Sequence, residues 1–379
     1  MTDIAANRDG PRDVSDRYEV VVVGGGQAGL AIGYFLARQG RRFTILEAGD
    51  APAAAWRARW DSLKLFTPVR YDSLPGLAFP GDPDSYPGRD EVVAYLTDYA
   101  GAVELPVELN SRVRAVRLVD GVYLIELADR TYAAEQVVIA TGPFQVPRVP
   151  PVAQPLDPAI VQLHSTAYRR PDQVPAGPVL VVGGGNTGFQ IAEELSRSHE
   201  VHLSIGSRQT PLPQRIAGRD LFRYLEAAGL MRVTVDSLLG QRLRYRETLI
   251  GSSPRDARRR HGIRLRGRTV DAQGSDVVFS DGSRLSPAAV IWATGFALDH
   301  SFVQVPVFDD AARLMHRRGV TAAPGLYFLG LTWQHTRGSA LLGWVKHDAE
   351  FMAGRIAAHA NRKPAAAVAQ PATGGRPAR

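Results

Sequence analysis

The sequence predicts an α/β protein made of two dinucleotide-binding, Rossmann-like domains, the second inserted into the first. Two observations are glycine-rich turns of identical spacing, each between an apolar strand and a helix, about 160 residues apart. The third is a length of 379 residues, beyond the roughly 250–300 over which one hydrophobic core keeps growing. With 45% hydrophobic and 22% charged residues the composition is that of a globular protein.

Residues 1–17 are polar, include Pro11 and lack the apolar stretch of a secretory signal, so a disordered N-terminal arm is expected there. The apolar run Glu19 to Val23 then leads into Gly24-Gly25-Gly26-Gln27-Ala28-Gly29 and a helix to about Gln39, and a second strand, Phe43 to Leu46, ends at Glu47. By hydrophobic pattern this is a βαβ unit. Another opens at Pro178: a strand from Val179 to Val182, the turn Gly183-Gly184-Gly185-Asn186-Thr187-Gly188, a helix to about Ser198 and a strand from Val201 to Ile205. Val137 to Gly142 has the pattern of a buried strand ending in a glycine turn, Val290 to Gly295 repeats it, and Gly325 to Gly330 supplies one more strand. These runs read as the chain leaving and re-entering its first domain. The expected limits are 18–176 with 288–359 for the first domain and 177–287 for the insert, followed by a disordered tail over 360–379.

Composition narrows the chemistry. The chain has no cysteine, which excludes disulfide frameworks, CxxC redox pairs, thiolate metal sites and cysteine nucleophiles together. Redox chemistry must then use a bound cofactor, and no metal site is expected. The formal charge of +7 is a weak nucleic-acid signal, because all but three of the 45 basic residues are arginine and Ala, Gly and Pro are abundant beside them, a pattern of coding bias. The stretch 242–268 holds ten arginines but only Tyr245 for stacking, and a solvated loop inside the second domain is expected. No apolar run approaches the ~20 residues that span a bilayer, so a cytoplasmic protein without a membrane or nucleic-acid partner is expected.

In the first turn Gly24 permits the tight bend, Gly26 lets the backbone approach a pyrophosphate, and Gly29 lets helix pack on strand, while the helix N-terminus offers N–H donors. Glu47 stands where a carboxylate accepts hydrogen bonds from adenosine ribose hydroxyls and repels a 2′-phosphate, which suits FAD or NAD. The second turn repeats the glycine spacing at Gly183, Gly185 and Gly188, but its second strand runs into Gly206-Ser207-Arg208 with no acid. A guanidinium and a hydroxyl there suit the 2′-phosphate of NADPH.

One site for FAD and one for NADPH describe a flavin enzyme reduced by a nicotinamide. From Tyr18 to about Ala358 the layout resembles the class B flavin-dependent monooxygenases, the flavin-containing monooxygenase family, and in particular its short bacterial and YUCCA-like members. The resemblance is carried by Trp56 to Pro68, by Tyr86-Pro87-Gly88-Arg89-Asp90 with the helix after it, by His164 to Tyr168, similar to the H-x-x-x-Y/W end of the family fingerprint, and by Thr332 to Ser339. It implies that FAD is held by Gly24, Gly26, Gln27, Ala28, Gly29, Glu47, Trp56, Val113, Ala140, Thr141 and Gly142. NADPH would be held by Gly183, Gly185, Asn186, Thr187, Gly188, Ser207, Arg208, Thr294 and Gly295, and the flavin lined by Thr67, Trp333, Gln334, His335 and Arg337. His164 and Tyr168 are expected to stiffen the linker. The resemblance further implies that oxygen adds to the reduced flavin as a hydroperoxide and that one atom passes to a small organic substrate, at a heteroatom, a ketone or a 2-oxo acid.

Two departures qualify the match. Pro158 and Ile160 stand where the fuller fingerprint begins F-x-G, which speaks against the Baeyer–Villiger branch, and Pro68 follows Thr67 where the animal enzymes carry asparagine. Two alternatives stay open: a reductase of this architecture serving a quinone or protein acceptor, and a nucleotide-sensing or nucleic-acid-binding protein without turnover. A homodimer is compatible with the layout.

Overall fold

The computed structural model describes residues 14–245 and 248–361. Its first sheet begins with β1 (Val14–Val23), from which α1 (Gln27–Arg38) carries the chain to β2 (Phe43–Leu46). After the short α2 (Ala54–Arg57) and the longer α3 (Arg89–Ala102) come β3 (Val107–Glu108), β4 (Ala115–Val119), β5 (Val122–Glu126) and β6 (Thr131–Ile139). β3, β2, β1 and β6 lie side by side in parallel. β5 pairs antiparallel with the start of β6, and the late strand Leu326–Phe328 joins the end of β6 in parallel. The valine run of β1 is buried on both faces: Val20 and Val22 pack with α1 and α3, Val21 and Val23 with the opposite core. A strand covered on both faces must be apolar throughout, which is why it reads as an unbroken run.

Short β7 (Val146–Pro147) leads to the second sheet, which contains β8 (Val161–His164), β9 (Pro178–Val182) and, after α4 (Asn186–Leu195), β10 (Glu200–Ser204). It is parallel throughout, with Arg264–Arg266 outside β10 and Ala289–Trp292 between β9 and β8. The fold is thus α/β with two Rossmann-like units, the second set between the two halves of the first.

Three placements differ from the sequence expectation. Val290 and its neighbours join the second sheet rather than the first, and so does β8, because an apolar strand does not itself encode which parallel neighbour it takes. Residues 14–17, expected in the arm, extend β1, with Asp16 and Arg17 paired to Tyr132 and Ala133; their exposure hid the strand. The remainder of the arm, 1–13, and residues 362–379 of the expected tail lie outside the described residues, while Ala360, expected to open the tail, ends the helix Val345–Ala360 and Asn361 caps it. Among its described residues, which leave out 246–247, the arginine-rich stretch forms regular elements rather than a solvated loop: the strand Thr248–Ile250, the helix Pro254–His261 and the strand Arg264–Arg266 lie within it. Ser253 caps that helix, and Arg258, Arg259 and Arg260 occupy its last turn, where cations suit the helix dipole.

β7 pairs antiparallel with Phe296–Ala297 where the chain crosses between sheets. The segment 56–72 fills the seam: Trp56 and Leu65 pack on both cores, and Trp60 and Leu63 belong to the core of the second domain. Interdomain hydrogen bonds fix it, among them Gln214 Nε2 to Phe66 O (2.8 Å) and Tyr86 Oη to Asp220 Oδ2 (2.7 Å).

Candidate functional site

The two glycine turns are built alike. Gly24 and Gly183 adopt φ of +112° and +130°, and a Cβ there would lie 2.6 Å from Ala140 O and 2.2 Å from Ala293 O respectively. Only glycine fits both the dihedral and the strand end behind it. At Gly29 and Gly188 a Cβ would come within 1.9 Å of the carbonyl oxygens of Gly24 and Gly183, so the helix rests directly on the turn. α1 and α4 start at Gly26 and Gly185 with no side-chain cap, which leaves the first-turn N–H groups directed at whatever binds there. A Cβ added at Gly26 would meet nothing within 4 Å, which is the space a pyrophosphate needs.

Around the first turn, Glu47 accepts hydrogen bonds from Gly25 N (2.7 Å) and Gly49 N (2.8 Å). The carboxylate is thereby fixed at the end of β2 and keeps lone pairs for ribose hydroxyls. Trp56 Nε1 donates to Gln27 Oε1 (2.8 Å), and Ala28 is buried against Gly330. Gln145, which the sequence did not single out, donates through Nε2 to Thr141 Oγ1 (2.7 Å) and Gly142 O (3.0 Å). Val113 is half-buried against the core that contains Val21 and Val23.

Around the second, Asn186 donates to Thr248 O (3.4 Å) and accepts from Ile250 N (2.9 Å), tying the start of α4 to the strand Thr248–Ile250, which pairs with Thr210–Leu212 apart from the main sheet. Thr187 follows Asn186 in the first turn of α4. Ser207 accepts from Gln209 Nε2 (3.2 Å), and Arg208 is exposed beside it. Arg268 joins them unforeseen, its Nη2 donating to Gly206 O at 2.7 Å. Thr294 and Gly295 sit at the crossing, Thr294 Oγ1 donating to Arg148 O, and Gly295 O lying 3.1 Å from His164 Nε2. Tyr168 Oη donates to Glu194 Oε2 on α4 (2.7 Å).

The residues expected to line the flavin divide. Trp333 holds φ +54°, an outlier for a bulky residue, and Gln334 Nε2 is buried without a partner. His335 has its pKa lowered by burial and then by Arg318, and it faces a cleft of about 670 Å³ also lined by Asp236, Met315, Arg317, Arg318 and Arg355. Arg337 instead reaches the second domain, its Nη1 donating to Thr248 Oγ1 (3.2 Å), with no carboxylate in ion-pair range among the described residues. Thr67 is buried and donates to Asp72 Oδ1 (2.6 Å). Asp72 is a third residue that the sequence did not single out: it is fully buried and its Oδ2 has no partner. Desolvation, opposed by the Thr67 hydrogen bond and reinforced by Asp220, pushes its carboxyl up to about 8. The only signal in the sequence was an acid between Phe66-Thr67-Pro68 and Leu74-Pro75.

The model of the pyridine nucleotide-disulphide oxidoreductase family matches residues 21–215, just over half of the chain. The chain belongs to this family. An uncharacterized CzcO-like oxidoreductase of Geobacillus kaustophilus is 43% identical over 90% of this chain and 99% of its own length. The indole-3-pyruvate monooxygenase YUCCA1 of Oryza sativa is 29% identical, covering 84% of this chain and 88% of its own. Among solved structures, the flavin-containing monooxygenase from Stenotrophomonas maltophilia superposes with a TM-score of 0.77 at 29% identity, covering 91% of this chain and 99% of its own. The chain is a flavin-dependent monooxygenase of the short bacterial and YUCCA-like branch. The disulphide in the family's name has no counterpart in this monooxygenase, which lacks cysteine altogether. Among its described residues no helix is long and apolar enough to cross a membrane.

Proposed function

We propose that the enzyme holds FAD in the first cradle and NADPH in the second and, in the cytoplasm, transfers one atom of O2 to a small organic substrate, the other atom leaving as water. The observation that carries the reading is the repetition of one cradle geometry in both domains with opposite chemistry at the second strand's end: Glu47 in one, Ser207, Arg208 and Arg268 in the other. Bound there, FAD supplies the redox chemistry and activation of O2, and NADPH the two electrons.

The chain's own residues bind and enclose. Glu47 orients ribose hydroxyls, and the first-turn N–H groups of α1 and α4 take the pyrophosphates. Arg208 and Arg268 hold the 2′-phosphate, and Arg337 offers a guanidinium to the anionic part of the nicotinamide cofactor from across the seam. The seam residues Trp56 and Trp60 keep water from the reacting centre. The cleft beside His335 has room for a small molecule, and its arginines favour substrates with an anionic group.

The test is turnover with NADPH under oxygen-18 gas against thioethers, amines, ketones and 2-oxo acids. One labelled atom in product per NADPH consumed is the expected result. NADPH oxidation that reduces a quinone, or yields only hydrogen peroxide, without label in any product would replace this reading by that of a reductase or oxidase.

A further inference from the structure

We propose that Asp72 is a positioning residue whose protonation decides whether the Thr67 hydroxyl turns a proton or a lone pair toward the flavin. The proposal rests on the reading that FAD occupies the first cradle with Thr67 beside its ring.

Thr67 Oγ1 and Asp72 Oδ1 are 2.6 Å apart, the two residues are 4% and 0% exposed, and Asp72 is the only polar partner that Thr67's side chain has among the described residues. A hydroxyl has one proton, and an ionised carboxylate can only accept. With Asp72 ionised, the Thr67 proton is committed to Oδ1 and the outward side of the hydroxyl offers lone pairs alone. With Asp72 protonated on Oδ1, the carboxylic acid donates to Thr67 Oγ1 and the Thr67 proton is released to point outward. One proton on Asp72 thus reverses the polarity of the hydroxyl, and no heavy atom has to move.

The surroundings leave this pair isolated. Asp220, buried at the head of the helix Leu221–Ala227, already accepts from Phe222 N, Tyr86 Oη and Gln214 Nε2 and acts on Asp72 only as a like charge. Tyr95, on α3, is committed to Leu74 N and Leu77 O. Glu226 faces Tyr71, Arg70 is paired with Asp84, and Lys346 gives its ammonium to Ser73 O at 3.1 Å. Gly343 closes the remaining side, where a Cβ would lie 3.0 Å from the Asp72 Cα. Oδ2 is left in apolar surroundings without a donor, and such a carboxyl favours its neutral form. With its pKa raised to about 8, the exchange falls within an accessible range.

The visible absorbance of the FAD-loaded enzyme, titrated from about pH 6 to 10 without substrate or NADPH, reads the change directly. The wild-type spectrum should pass through one transition with a midpoint near 8. Asp72→Asn, whose amide mimics the neutral acid, should keep FAD and lose the transition, holding the low-pH spectrum throughout. Thr67→Val should lose it too, and decides the matter if Asp72→Asn does not fold. A transition that persists in either variant, or a wild-type enzyme that carries FAD and shows none, overturns the proposal alone. A chain that takes up no FAD overturns the underlying reading instead, and this proposal falls with it.

Discussion

Two guanidinium groups flank the loop after β10, and their roles can be separated residue by residue. Arg208 is exposed and Arg268 is held on Gly206 O at 2.7 Å. If both contact a 2′-phosphate, each charge-assisted bond contributes about 1.5–3 kcal/mol. Arg208→Ala and Arg268→Ala should then each raise the KM for NADPH about ten- to hundredfold and leave that for NADH unchanged. Equal effects on both coenzymes would show that neither arginine reads the phosphate. Asp72 makes a stability prediction of its own. Its folded pKa, about 8, lies above the ordinary value of 3.8, so its neutral form favours folding, and the contribution is complete below that ordinary value. It declines as pH rises and is gone once the folded pKa is passed. Asp72→Asn should therefore gain stability relative to wild type between those limits, by up to about 6 kcal/mol at alkaline pH, measured as denaturation midpoints at acid, neutral and alkaline pH. A difference that does not change with pH would refute it. Glu47 and Arg208 were legible in the sequence because their place follows from the glycine turn that precedes them. Arg268 was not, since it meets Gly206 only through the pairing of Arg264–Arg266 with β10, and Asp72 declares itself only once its burial is known.

At the scale of elements, each βαβ unit depends on one contact between a helix and the turn that feeds it. Gly188→Ala would drive a methyl to within 1.9 Å of Gly183 O. The backbone must shift, at a cost of about 1–3 kcal/mol as in other overpacked sites, and the shift falls on the N–H groups at the start of α4. The expected outcome is a protein with wild-type FAD content and a strongly weakened affinity for NADP⁺, read by absorbance and calorimetry on one sample. Parallel loss of FAD would mean that the two units do not act independently. The same locality explains what could be read in advance. Strand, turn and helix follow one another in sequence, so both units were evident from hydrophobic spacing. The sheet membership of Ala289–Trp292 was not, because its partners β8 and β9 lie more than a hundred residues away. Nor was the helix Pro254–His261 evident, since the density of arginine masked the capping serine, the proline after it and the closing Gly262.

Across the whole molecule, the two domains meet along the segment 56–72 and at the crossing formed by β7 and Phe296–Ala297. Arg59 ties one to the other: its guanidinium lies 5.2 Å from the Phe144 ring and 5.1 Å from that of Phe296, while Arg89 Nη1 holds its carbonyl at 3.0 Å. Burial, with Arg169 nearby, lowers its pKa to about 10, so it is still a cation at neutral pH. Each ring contact contributes about 0.5–2 kcal/mol, and both rings flank the crossing on which the second domain would pivot. Arg59→Ala should loosen the crossing without touching either cradle: FAD content is retained, kcat falls several-fold, and the chain becomes easier to cleave between 144 and 149, where Phe144, Val146 and Val149 are already exposed. Arg59→Lys keeps the charge and loses the planar stacking, and should fall between wild type and Arg59→Ala. A variant as resistant to proteolysis as the wild type, with kcat unchanged, would show that the rest of the seam sets the domain geometry without the Arg59 contacts and that the crossing is a simple tether.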